Sequence, residues 1–156
     1  MPYKSLNNFN MKHFLLIQGS LNRSSNTAFV VEETRKRLDA MDGVTTEVID
    51  LRNIDLEFCD GRSLSGYNKA HQEAFRKIQD AHGVVIGFPI YSFTMSGVVK
   101  NFLDIVGDAF ESKTIAIVVR VSMKAVLVVI LDVKSVPLSI ITLKRYFSAK
   151  VIDSSS

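Results

Sequence analysis

The chain has 156 residues, a 47% hydrophobic share, a 22% charged share and a formal net charge of +3. That length suits one domain burying about two thirds of the surface its unfolded form exposes, and no Pro/Gly-rich linker, internal repeat or long low-complexity tract divides it. Basic residues outnumber acidic ones from Ser112 onward but form no concentrated stripe, which argues against a nucleic-acid surface.

Residues 1–10 hold Lys4 and three asparagines without a continuous apolar core, so they do not read as a signal peptide. Residues 1–11 are expected to be an N-terminal extension, with Met11 as the natural start, ahead of a domain at 12–153. HFLLIQ at 13–18 is a short apolar run ending at a glycine, the pattern of a buried parallel strand. A helix is predicted over 27–41, with Val31, Thr34, Leu38 and Met41 on its inner face and Gly43 stopping it.

TTEVIDL at 45–51 reads as the second strand, and residues 52–66 as a polar loop that frames a site. Cys59 in that loop stands alone; no intramolecular disulfide can form, and a reducing, cytoplasmic setting is expected. A helix follows at 67–81, a third strand at 83–88, a helix at 94–110 and a fourth strand at 114–119. The long apolar region 114–131 is broken by Arg120 and Lys124, too costly at mid-span for a membrane helix.

Residues 139–147 (SIITLKRYF) are the candidate fifth strand. The aliphatic, β-branched stretch 125–131 matches helix preference poorly, yet a crossover between parallel strands calls for a helix there. Alternating strands and helices predict an α/β fold: an open, parallel, five-stranded sheet of order 2-1-3-4-5 with helices on both faces.

In such a sheet, strands 1 and 3 are neighbours whose connections leave on opposite faces, and ligands bind in the crevice at their carboxyl ends. The loop after the first strand offers Ser20, Asn22, Arg23, Ser25, Asn26 and Thr27 at the start of a helix, a donor set suited to phosphate. Simple helix capping by Ser25, Asn26 or Thr27 is the alternative for any one of them. The loop after the third strand offers Pro89, Ile90, Tyr91, Ser92 and Phe93, a rigid turn and two aromatics suited to a flat ring or, alternatively, to ordinary packing.

Neither GxGxxG nor GxxxxGK[ST] occurs. His13, His71 and His82 lack metal-ligand spacing, and Asp50, Asp55, Glu57 and Asp60 read as a solvated loop, so no metal is expected.

GSLNRSSNTA at 19–28 and FPIYSFTMSGVVKNFLDIV at 88–106 resemble the two motifs of the flavodoxin-like NAD(P)H-dependent FMN reductase family, which includes quinone and azo-dye reductases. The resemblance implies a flavodoxin-like fold, FMN as cofactor and NAD(P)H as cosubstrate, with hydride transfer through bound FMN to flavin, quinone, azo or similar acceptors. It implies that Ser20, Ser25, Asn26 and Thr27 hold the phosphate, with Asn22 in the usual arginine position and Arg23 one residue later. Pro89, Ile90, Tyr91 and Ser92 match the flavin-side loop; Lys100, Asn101 and Asp104 match the following helix in a structural role.

Hydride transfer itself requires no acid or base residue. A homodimer or homotetramer with flavin near a subunit contact is also implied. Beyond Val119 the resemblance weakens: Arg120, Val121 and Ser122 stand where the family has a small loop, so crowding of the ring is expected, and the final covering helix is expected to be missing. The alternative is a non-enzymatic FMN-binding or electron-transfer protein, or a degenerate paralogue acting through association.

Overall fold

Strands apolar on both faces must lie at the centre of a sheet covered on both sides. That is where β1 (Lys12–Gln18) and β3 (Gly83–Gly87) sit: Leu15, Leu16 and Ile17 are fully buried, and every residue of β3 is buried. The computed structural model describes residues 11–122 and 125–132. Strand β1 pairs in parallel with both β2 (Val44–Asp50) and β3, and β3 pairs in parallel with β6 (Thr114–Ser122). With β7 (Ala125–Asp132) at the edge, the sheet order is β2-β1-β3-β6-β7.

Side-chain alternation along the strands sends two sets of residues to opposite faces. On one face Leu15, Ile17, Val84 and Ile86 meet Ala74 and Ile78 of α2 (Lys69–Asp80) and Val99, Phe102, Ile105 and Val106 of α3 (Gly97–Val106). On the other, Leu16, Val85 and Val118 meet Val31 of α1 (Asn26–Asp39). Four parallel strands in the expected order, with helices on both faces, form the α/β fold read from the sequence.

The fifth strand corrects that reading. Strand β7 runs antiparallel to β6, from the Thr114 pairing with Asp132 to the Ser122 pairing with Ala125, so the expected helical crossover at 125–131 is a strand, and among the described residues the sheet has four parallel strands, not five. The physical reason is local. AVLVVILD is rich in residues that favour strands, and the two residues joining it to β6 suffice for an antiparallel return but not for a parallel one. Arg120, Val121 and Ser122, expected in a loop, end β6 itself, with a register shift between Arg120 and Ser122. The expected strand at 139–147, the final-helix region and residues 1–10 lie outside the described residues.

Helix limits also move. Asn68 accepts a hydrogen bond from His71 N, capping α2 at Lys69 and leaving Tyr67 outside it. α1 ends at Asp39, and Met41 is exposed beyond it. α3 begins at Gly97 rather than at Thr94, because β4 (Ile90–Tyr91) and β5 (Thr94–Met95) form a small antiparallel hairpin. Among the described residues no helix is long and apolar enough to cross a membrane.

His71 is fully buried between Tyr67 and Phe102, its ring centroids 5.7 Å and 6.4 Å from theirs. Its Nδ1 donates to Asn68 Oδ1 at 2.9 Å, and its Nε2 has no partner among the described residues. Burial pushes the imidazole below its ordinary value, so His71 is neutral in the folded chain. As pH falls below about 6.5 the unfolded state takes up a proton that the folded state refuses, and stability drops. Urea midpoints between about pH 7.5 and 5.5 should fall in the parent and change less in His71→Leu. An identical slope in both would remove His71 as the cause.

Candidate functional site

The seam between β1 and β3 organises the carboxyl edge of the sheet. Gly19 N donates to Gly87 O at 2.7 Å, extending the pairing with β3 one residue past the end of β1. A Cβ on Gly19 would collide with Val99 Cγ2 of α3 and lie 3.0 Å from Gly87 O; a Cβ on Gly87 would collide with Val31 Cγ2 of α1 and lie 3.3 Å from Thr27 Cγ2. Each glycine therefore admits a helix from a different face of the sheet. The two loops that leave this seam carry all the site residues read from the sequence.

In the first loop the backbone is fixed while several side chains are not. Ser20 is buried, its N–H donating to Gln18 Oε1 at 2.5 Å and its carbonyl accepting from Gln18 Nε2 at 2.9 Å. Asn22 folds back on the loop, its Oδ1 accepting from Ser24 N at 2.9 Å. Ser25 caps α1, its Oγ accepting from Ala28 N at 3.2 Å, which is the capping role weighed against phosphate binding. The two roles are compatible, because a hydroxyl that accepts from the helix still has its own proton to donate.

Thr27 is buried and packs its methyl toward Gly87. Arg23 and Asn26 are exposed; among the described residues Arg23 pairs with no carboxylate, and the hydroxyls of Ser20 and Thr27 form no hydrogen bond. α1 has no acidic residue in its first turn, so no carboxylate of its own offsets the positive end of its dipole.

The second loop is the β4–β5 hairpin. Ser92 and Phe93 both have positive φ, 48° and 66°, the backbone of a tight two-residue hairpin turn normally given to Asn and Gly. Pro89 is half-buried, Ile90, Tyr91 and Ser92 are exposed, and Phe93 is wholly exposed. Ser96 ties this segment to the first loop, its hydroxyl donating to Gly19 O at 3.4 Å.

The loop between β2 and α2 forms a third wall at this edge. Asn101 of α3 grips its backbone twice, accepting from Cys59 N and donating to Glu57 O, each at 2.8 Å, which gives that residue the structural role expected of it. Lys100 pairs with Asp104 on the surface of α3. The carboxylates of the loop and of the end of β2 are engaged separately: Glu57 by Asn68 N and Arg62, Asp60 by Tyr67 and Arg62, Asp50 by Arg52 and Gln18. Among the described residues no group of three or more His, Cys, Asp or Glu could hold a metal ion. At the opposite edge of the sheet, away from the site, His13 N donates to His82 Nδ1 and His82 N donates to His13 O.

Sequence reading missed Gln18, Asp50 and Ser96 as contributors to this edge. The signal for Gln18 was present: one amide ends an otherwise apolar strand, immediately before the loop glycine.

A mostly parallel sheet with helices on both faces and two such loops at its switch point has the architecture of the open α/β domains, which take ligands at the carboxyl ends of their strands. The sequence matches the profile of the family described as NADPH-dependent FMN reductase over residues 12–149, and the chain belongs to that family. It is 36% identical over 63 residues to an NAD(P)H-dependent FAD/FMN reductase of Geobacillus thermodenitrificans, covering 40% of this chain and 34% of that one. It is 32% identical over 95 residues to an iron-sulfur flavoprotein of Archaeoglobus fulgidus, covering 58% and 46%.

The fold is similar to that of an NADH:FMN oxidoreductase solved in its apo form, with TM-score 0.57 and 27% identity over 67% of this chain and 56% of that one. The matched region thus spans between about a third and a half of the curated relatives' length.

The strained hairpin supplies a test. Phe93→Gly should raise folding stability by about 1 kcal/mol, since glycine accepts the left-handed backbone and an exposed ring loses no packing. Calorimetry checks this; a lowered unfolding temperature would show that Phe93 contributes contacts of its own.

Proposed function

We propose that this chain is an FMN-dependent oxidoreductase in which NAD(P)H reduces bound FMN and the electrons pass to free flavin, a quinone, an azo compound or a similar small acceptor. The observation that carries this reading is the meeting, at one sheet edge, of a hydroxyl-rich loop leading into a 14-residue helix with a Pro-led aromatic hairpin. A phosphate monoester suits the first, because hydroxyls and N–H groups at a helix start answer its charge. A planar heterocycle suits the second.

In this reading Ser20, Ser25, Asn26 and Thr27 hold the phosphate, with Asn22 and Arg23 at its rim. Pro89, Ile90, Tyr91, Ser92 and Phe93 lie along the isoalloxazine. The donor set fits: the hydroxyls of Ser20 and Thr27 form no hydrogen bond among the described residues, and the only charged side chain of the loop is the cationic Arg23. When bound, FMN supplies hydride acceptance and onward electron transfer. The chain's residues bind, orient and shield the ring, and none need act as acid or base.

We also assign the protein to the cytoplasm as a homodimer or homotetramer. The lone Cys59 supports the first assignment. Exposed Leu21, Phe58, Ile90, Tyr91 and Phe93, on the loops and hairpin at the carboxyl edge of the sheet, support the second.

Purified protein reconstituted with FMN and titrated anaerobically with NADH and NADPH tests the activity. Bleaching of the oxidised-flavin band by at least one nucleotide, with steady turnover on a quinone, is the expected result. Bound FMN that neither nucleotide bleaches would replace the enzyme with a passive flavin carrier.

A further inference from the structure

The buried polar group that the proposed function does not use is the carboxamide of Gln18, and it reaches both the loop and the neighbouring strand. Gln18 ends β1 beside Asp50, its register partner at the end of β2, and is 2% exposed. Its Oε1 takes the Ser20 N–H at 2.5 Å, while its Nε2 donates to Ser20 O at 2.9 Å and to Asp50 Oδ1 at 3.0 Å. One planar amide thus holds both backbone groups of Ser20.

Asp50 is held in turn. Arg52 Nε lies 2.9 Å from its Oδ1 and 3.0 Å from its Oδ2, Arg52 Nη2 bonds Oδ2, and Arg52 N donates to Oδ1 at 3.0 Å. Burial alone would raise the carboxyl, but these bonds and the one from Gln18 outweigh it and keep the group ionised.

We propose that Gln18 and Asp50 are positioning residues for the FMN phosphate: Asp50, braced by Arg52, orients the Gln18 carboxamide, and Gln18 fixes the Ser20 backbone so that the loop is set before the ligand arrives. The proposal rests on the assignment of residues 20–27 to phosphate. Its physical content is preorganisation: a loop already ordered loses less entropy on binding. Only an amide serves. A carboxylate at position 18 could accept from Ser20 N but could not donate to Asp50 and would face its charge, and an aliphatic residue would leave the Ser20 N–H and C=O unpartnered in a buried place.

The test compares FMN with riboflavin, which has the ring but no phosphate. Gln18→Ala and Asp50→Ala should each weaken FMN about tenfold, equivalent to about 1.4 kcal/mol, with riboflavin unchanged. Their double variant should be no worse than Gln18→Ala alone, since both act through one clamp. Asp50→Asn, which keeps an acceptor for Gln18, should recover most of the affinity. In the unmodified protein, hydrogen exchange at the Ser20 amide should be slow without ligand, a measurement that needs no variant to fold.

Equal losses for FMN and riboflavin, no loss, or a rapidly exchanging Ser20 amide overturns the clamp while the phosphate site stands. A parent that binds FMN and riboflavin equally overturns the phosphate site and the clamp together.

Discussion

The close approach of two helices to the ends of β1 and β3 is the constraint on which the rest of this edge depends. Gly19 and Gly87, joined by a 2.7 Å hydrogen bond, lack the Cβ atoms that would strike Val99 and Val31. With those atoms present, α1 and α3 would have to withdraw, and overpacking of this kind costs about 1–3 kcal/mol. The loops that leave the seam inherit its geometry: one starts at Gly19 and enters α1, the other follows Gly87 and enters α3. Ser96 then links α3 back to Gly19, so the two candidate segments share one anchor.

Rigid backbone and available side chains coexist in the first loop. Gln18 satisfies the Ser20 backbone, Asn22 satisfies Ser24 N and Ser25 satisfies Ala28 N, all within the chain. The loop therefore needs no ligand to meet its own main-chain demands at these positions, and among the described residues its cationic Arg23 pairs with no carboxylate. The hairpin behaves differently. Ser92 and Phe93 occupy a backbone region costly for residues with a side chain, and the gain is an aromatic surface held out from the sheet.

Much of the fold was legible because apolar runs and glycines report local geometry. HFLLIQG and GVVIGF announced the two central strands. The antiparallel β7 departs from the expected helix because strand-favouring residues and a two-residue connection prescribe a hairpin, where a parallel return would need a crossover. Left-handed Ser92 and Phe93 hid the β4–β5 turn, because neither residue type advertises that conformation.

The candidate loops were recognisable from hydroxyls, Pro89 and aromatics. The roles of Gln18 and Asp50 were not, because they depend on a cross-strand register that residues 32 positions apart do not display in sequence.

The central claim is that an anionic phosphate lies on residues 20–27 while a flat ring lies on residues 89–93. Backbone amide NMR during FMN addition tests it most directly. The account predicts the largest chemical-shift changes at both segments, with riboflavin reproducing those at 89–93 but not those at 20–27. Shifts concentrated elsewhere on the sheet, or identical patterns with the two flavins, would contradict it.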